Sequence, residues 1–239
     1  MATYVLVHGA GHGGWCYKRL APLLRAKGHE VYAPSLTGLG ERAHLLTPET
    51  TLSTHIEDIV YLIEAEDLSE VILAGHSYGG MVITGVSGRI PDKIAHLVFL
   101  DAAIPADGEA LEDSSPAVRE GIKLEARMVD GIELVLWPDM PVAKAIYGVT
   151  DETDWAWMLQ RLRPHPWKCF EEKLVLANPK GAARIPRTII NCPSTLAVRG
   201  RNENLDRYFV GENVWALDTG HDLMITEPEK TAEMLLRLA

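Results

Sequence analysis

The residues of this chain best suited to covalent chemistry are a serine fenced by small residues, a histidine near the far end, and a choice of carboxylates. The serine is Ser77, in "VILAGHSYGGM" (Val71 to Met81), where Gly75-His76-Ser77-Tyr78-Gly79 fits G-x-S-x-G. Glycine and serine collect in turns, so the pentapeptide means little alone. Its setting gives it meaning: a strand-like apolar run comes before it, and a helical pattern rich in small residues comes after. A sharp strand-to-helix turn strains its central residue, and small neighbours keep that turn from clashing. The hydroxyl then stands clear of the backbone at a helix N-terminus, where developing negative charge is favoured.

A serine hydroxyl needs a base to become a nucleophile. Of the nine histidines, His221 in "ALDTGHDLM" alone lies just after the last strand-like run, on a Thr219-Gly220 turn. His8 and His12 belong to a glycine-rich loop, "HGAGHGGW", after the first strand, and His12 is assigned to the substrate pocket. His165 is a second candidate for substrate contact, and His76 reads as packing below the turn. The glycine-rich loop can bring a backbone N–H over the serine. Ala10 is the residue expected to supply it, with the N–H of Tyr78 completing an oxyanion hole. Such a donor contributes roughly 3–4 kcal/mol to lowering a barrier.

Alternating elements must position these groups. "TYVLVHG" is a short strand, "WCYKRLAPLLRAKG" has helical spacing with a glycine stop, and "HEVYAPSL" is a second strand. "LSTHIEDIVYLIEAE" is an amphipathic helix for which Ser53 is a plausible N-cap. "EVILAG", "KIAHLVFLDA", "PRTIINC" and "ENVWALD" read as further strands, and "EPEKTAEMLLRLA" as a closing helix. Continuous apolar strands alternating with helices imply a mostly parallel sheet covered on both faces. The rhythm changes after Pro105. Residues 105–184 read as a helical lid inserted into a core built from 1–104 and 185–239. Trp137, Trp155, Trp157 and Trp167 are expected to serve as lid core, as the lining of an apolar substrate pocket, or as both.

The bulk numbers narrow the classes. The chain has 239 residues, 47% hydrophobic and 23% charged, enough for one sizeable domain. A net charge of −10 argues against nucleic acid as a partner. No run approaches the roughly 18 apolar residues of a membrane span. Three cysteines, Cys16, Cys169 and Cys192, have neither metal-like spacing nor a disulfide pattern. The N-terminal "MATYVLVHGAG" lacks a basic n-region and a cleavable apolar segment, so a cytoplasmic protein is expected.

Together these stretches resemble the α/β-hydrolase fold. More narrowly, the chain is similar to bacterial relatives of the hydroxynitrile lyase and plant methylesterase family. That family includes carboxylesterases acting on methyl salicylate and on pyrethroid-type esters. The matching segments are "LVHGAGHGGWCY", "PSLTGLGERAHL", "THIEDIV", "VILAGHSYGGMVI", "LVFLDAAIPADGE" and "LDTGHDLM". They cover nearly the whole chain, with the inserted segment least alike. The resemblance implies a Ser-His-acid acyl-enzyme mechanism on a small-molecule ester, and it does not reach a particular substrate. The large, soft side chains of the inserted segment, Trp137, Met140, Trp155, Trp157, Met158 and Trp167, suggest an apolar acyl or aryl part. That mechanism requires no metal and no cofactor; with the charge and hydropathy above, neither nucleic acid nor a membrane is expected as a partner, and a homodimer stays open.

The resemblance also raises a question. In that family the acid usually follows the strand matched here by "PRTIINC", yet the expected place holds Thr195. A threonine cannot stabilise an imidazolium as a carboxylate does. Asp101, which ends the strand after the serine strand, is the first alternative. Glu203 and Asp206 in "RGRNENLD" are the others. Two other functions stay in view. A receptor-like relative would bind a ligand with little turnover. A hydroxynitrile lyase would, on the resemblance, need a lysine after the histidine and a threonine in the first loop, where this chain has Asp222 and Ala10.

Overall fold

The order of the strands decides which residues can meet. In the computed structural model, which describes residues 1–114, 121–140, 143–199 and 205–239, nine strands form two sheets. β1 (Thr3–Val7), β2 (Glu30–Tyr32), β3 (Val71–His76) and β4 (Ile94–Leu100) come first. β5 (Arg127–Val129), β6 (Ile132–Val135) and β7 (His165–Pro166) pair antiparallel in a small sheet of their own. β8 (Arg187–Asn191) and β9 (Asn213–Ala216) then rejoin the main sheet. Its order is β2-β1-β3-β4-β8-β9, and every adjacent pair is parallel.

Side-chain alternation along these strands builds two cores. Val5, Val7, Leu73 and Phe99 point to one face, where they meet the helices Leu52–Ala65 and Gly79–Arg89. Tyr4, Leu6, Ala74 and Leu100 point to the other, where they meet the helix Leu20–Arg25 and the closing helix Pro228–Leu236. α1 covers only Leu20–Arg25, because a 3-10 turn at Gly14–Tyr17 takes the first part of the expected helix. α2 spans Leu52–Ala65. Its cap is Thr51 rather than Ser53: the Thr51 N–H donates to Thr54 Oγ1 at 3.2 Å. Ser53 instead hands its N–H and its hydroxyl to Glu172, at 2.8 and 2.7 Å.

The segment between β4 and β8 is not wholly helical, which corrects the sequence expectation. Short helices at Ala143–Tyr147, Glu152–Leu159 and Lys168–Glu171 share it with the β5–β7 sheet. β5 and β6 join at Asp130-Gly131, both with positive φ, 49° and 80°. That is the dipeptide and backbone of a tight hairpin turn.

α3 (Gly79–Arg89) packs close enough to its neighbours that two of its residues must be glycine. A Cβ on Gly79 would lie 2.6 Å from the Val7 carbonyl oxygen, and one on Gly80 would fall on the Ala103 carbonyl. Both obstacles are backbone. Gly80→Ala is expected to cost about 1–3 kcal/mol of stability. The check is the urea midpoint at unchanged slope.

Candidate active site

β3 stops at His76 and α3 begins at Gly79, so Ser77 and Tyr78 make the whole turn. Ser77 has φ +53°, the left-handed region that costs a non-glycine residue about 1–3 kcal/mol. The surroundings hold it there. Its N–H reaches the Leu100 carbonyl at 3.4 Å, and its own carbonyl accepts from Gly80 at 3.0 Å and Ala103 at 2.9 Å. Gly75 lets the turn close, since a Cβ there would sit 2.6 Å from the Gly79 oxygen. Tyr78 already has helical angles, at the N-terminus of the eleven-residue α3.

Asp101 is the residue after β4, the strand beside β3. The register pairs His76 with Leu100, so the next positions on the two strands are Ser77 and Asp101. Asp101 also has positive φ, 45°, and its N–H donates to the Ile190 carbonyl at 2.7 Å. Its fully buried carboxylate accepts from the Cys192 N–H at 3.1 Å through Oδ1. Through Oδ2 it meets His221 Nδ1 at 2.6 Å.

His221 arrives on the loop after β9. Its carbonyl accepts from His76 Nε2 at 3.0 Å, and the two rings lie 4.6 Å apart. The histidine is therefore held over the residue that precedes Ser77. Gly148 of the inserted segment abuts the same loop, where a Cβ would lie 2.7 Å from the His221 nitrogen.

The loop after β1 completes the surroundings. A Cβ on Gly9 would touch Ser77 Cβ at 2.8 Å, so this loop lies against the serine. Leu36 N–H donates to His8 Nε2 at 3.0 Å, which leaves the His8 proton on Nδ1, 2.8 Å from the Gly9 carbonyl. Burial pulls the His8 imidazole down to a pKa of about 3, so it is neutral. With the Gly9 carbonyl fixed, the planar trans peptide aims the Ala10 N–H the opposite way.

The sequence-predicted residues divide. Ser77, Asp101 and His221 come together, with Ala10 and Tyr78 on the loops beside them. His12 does not line a pocket: it is fully buried, and both its ring nitrogens face oxygens of the protein. Trp167 is 2% exposed and belongs to the core with Phe170, which takes it out of the lining as well. Trp137, Trp155 and Trp157 pack against the opposite core, with Trp157 edge-on to Trp15 at 5.2 Å. A groove of about 510 Å³ includes Trp155 with Pro138, Met140 and Leu159, and Ser77 is not among its walls. His165 is fully buried too; its Nδ1 accepts from the Gly11 N–H at 3.3 Å. Asp206 is exposed on the 3-10 turn Leu205–Phe209, and the carboxylate that meets His221 Nδ1 is that of Asp101. Thr195 lies in the helix Pro193–Arg199. Glu203 lies outside the described residues.

Among the described residues, two groups of three side chains bring possible metal-ligand atoms within 4.8 Å of one another: His55, His165 and Cys169, and His76, His221 and Asp222. No metal spacing in the sequence suggests either. In the first group, His55 donates to the Thr37 carbonyl and accepts from the Tyr78 hydroxyl, each at 2.9 Å. Both its nitrogens are in use. In the second, His221 Nδ1 is held by Asp101.

A parallel sheet with helices on both faces, and a serine on its strand-to-helix turn, define the class of protein. The chain belongs to the alpha/beta hydrolase family, whose profile matches residues 4–234. It is 38% identical to the carbendazim hydrolyzing esterase of Nocardioides sp. (strain SG-4G), with both chains covered in full. It is 26% identical to methylesterase 1 of Arabidopsis thaliana, over 99% of this chain and 95% of that one. Among solved structures it is similar to a methylesterase protein from Arabidopsis, at TM-score 0.79 and 25% identity, over 100% of this chain and 98% of that one.

Proposed function

We propose that this chain is a carboxylesterase that works through an acyl-enzyme on Ser77. The observation that carries the reading is the 2.6 Å contact of His221 Nδ1 with the buried Asp101 carboxylate, beside a serine at φ +53°. The carboxylate fixes the imidazole tautomer with its hydrogen on Nδ1 and leaves Nε2 for the serine. Ser77 Oγ attacks the ester carbonyl carbon while His221 takes its proton. The Ala10 and Tyr78 N–H groups receive the oxyanion, aided by the N-terminal dipole of α3. His221 then protonates the leaving alkoxide. Water enters, gives a proton to the same histidine and attacks the acyl carbon; the bond to Ser77 Oγ breaks as His221 returns that proton to Oγ, and the acid leaves.

The substrate is a small ester with an apolar acyl or aryl part. Relatives named for hydrolysing carbendazim and methyl esters support that class. Among the described residues no helix is long and apolar enough to cross a membrane. The three cysteines are free thiols, which suits a reducing compartment, and we place the enzyme in the cytoplasm. A serine-directed organophosphonate is expected to inactivate the protein while EDTA leaves it active. Steady release of acid from p-nitrophenyl acetate over many turnovers is the companion measurement. A single burst with no further turnover would instead favour a ligand-binding receptor. Loss of activity on chelation, restored by zinc, would overturn the mechanism.

A further inference from the structure

Next to the base stands a second carboxylate that the mechanism above does not use. Asp222 is fully buried, and its Oδ2 lies 2.8 Å from Nε2 of the equally buried His12. The other His12 nitrogen, Nδ1, lies 2.9 Å from the Ala10 carbonyl. The Ala10 carbonyl can only accept, so Nδ1 carries hydrogen. Burial opposes a charge on Asp222, but His12 and then His76 outweigh it and hold the carboxyl below its ordinary range, so it faces Nε2 as an acceptor and His12 is an imidazolium. Its setting suits a cation: the ring stacks on Trp15 at 5.3 Å and meets Tyr147 edge-on at 5.0 Å. Burial works against the charge, but Asp222 and the Ala10 carbonyl outweigh it and raise the His12 pKa above its ordinary value. His76, 3.5 Å from Asp222 Oδ1, stays neutral, held down to about 3 by burial and then by His221.

This pair joins two loops that the sequence holds 210 positions apart. His12 closes the turn that carries Ala10. Asp222 directly follows His221, and its own N–H donates to the Tyr147 carbonyl at 3.1 Å.

We propose that the His12–Asp222 ion pair is a latch that holds the Ala10 turn and the His221 loop in register, so that oxyanion donor and base are presented to Ser77 together. It rests on the esterase reading. Neither residue touches substrate; both are positioning residues. A displacement of about 1 Å at either loop is enough to cost on the order of a hundredfold in rate.

The test separates catalysis from stability. Replacing a buried ion pair by apolar side chains of similar volume is often neutral or stabilising, whereas removing one partner strands the other. The paired variant His12→Phe with Asp222→Leu is therefore expected to melt at or above the temperature of the unaltered chain. Its kcat for p-nitrophenyl acetate is expected to fall about a hundredfold with KM changed less than about threefold. Labelling of Ser77 by an organophosphonate, followed by intact mass, should slow in parallel. Asp222→Asn gives the conservative rescue: its amide can donate to a neutral His12, which keeps its bond to Ala10. It is expected to turn over at least about tenfold faster than Asp222→Ala, because the tether survives without the charges. A folded paired variant with kcat within about threefold of the unaltered chain would overturn the latch. So would a paired variant that cannot fold, or an Asp222→Asn no faster than Asp222→Ala. If the unaltered chain neither turns over nor labels, the esterase reading has failed and the latch fails with it. Normal turnover in the unaltered and paired proteins alike sinks the latch alone.

Discussion

Ser77→Ala is expected to abolish ester hydrolysis and leave the fold as it is. The hydroxyl takes no part in the bonds that shape the turn, which run through the Ser77 backbone to Leu100, Gly80 and Ala103. Alanine has no better access to φ +53° than serine, so the strain is retained rather than relieved. Loss of the nucleophile from a unit of this kind costs on the order of 10⁶ in kcat, and His221→Ala should match it. The double variant should be no worse than either single one, because the two groups act in one step. The measurement is kcat of purified protein, free of contaminating esterase, beside a melting curve. A fall of less than about tenfold in a folded protein would remove Ser77 from the mechanism.

Asp101→Asn is expected to leave a folded and nearly inactive enzyme. Asparagine is almost isosteric and can still accept from the Cys192 N–H, so the packing at the strand end survives. What goes is the charge that faces His221 Nδ1. An asparagine amide turned toward the ring favours the wrong tautomer, and the imidazolium that forms during attack loses its counter-ion. The cost is on the order of 10⁴ in kcat. Glu203→Gln and Thr195→Ala should keep most activity. Full activity in Asp101→Asn together with loss in Glu203→Gln would reverse the assignment of the acid.

The sequence carried the framework because its signals are local. The strand before Ser77, the glycines of its turn and the alternation of apolar runs are short-range patterns. They predict a parallel sheet with the serine at a strand end, and that is the fold observed. Asp101 was legible for a related reason: consecutive strands β3 and β4 pair, so their ends are neighbours. His12 was not legible. A histidine in a glycine-rich loop looks like a binding residue until the fold brings Asp222 to it. The four tryptophans were legible as packing residues but not by partner. Residue type marks a side chain as apolar but not which of two cores it enters, and Trp167 went to one while Trp155 and Trp157 joined the edge of the other. The small sheet β5–β7 was masked by the prolines and tryptophans around it. Asp130-Gly131 between two short apolar runs was the available signal.

If Asp101 is the acid, its placement also sets how activity is expected to be lost before the protein unfolds. Ser77 and Asp101 stand at the same level, one residue beyond the paired ends of two adjacent parallel strands, which are spaced by roughly 4.8 Å. No loop stands between them, so partial opening of the surface cannot separate them. His221 comes instead on an excursion beyond β9, the outermost strand of the sheet. Edge strands and their loops open at lower free energy than central ones. Under mild heat or denaturant the proposed triad is therefore expected to fail by departure of His221, while Ser77 and Asp101 remain in place. Hydrogen exchange in residues 217–222 should rise with the loss of activity, while β3 and β4 keep the protection of the whole fold.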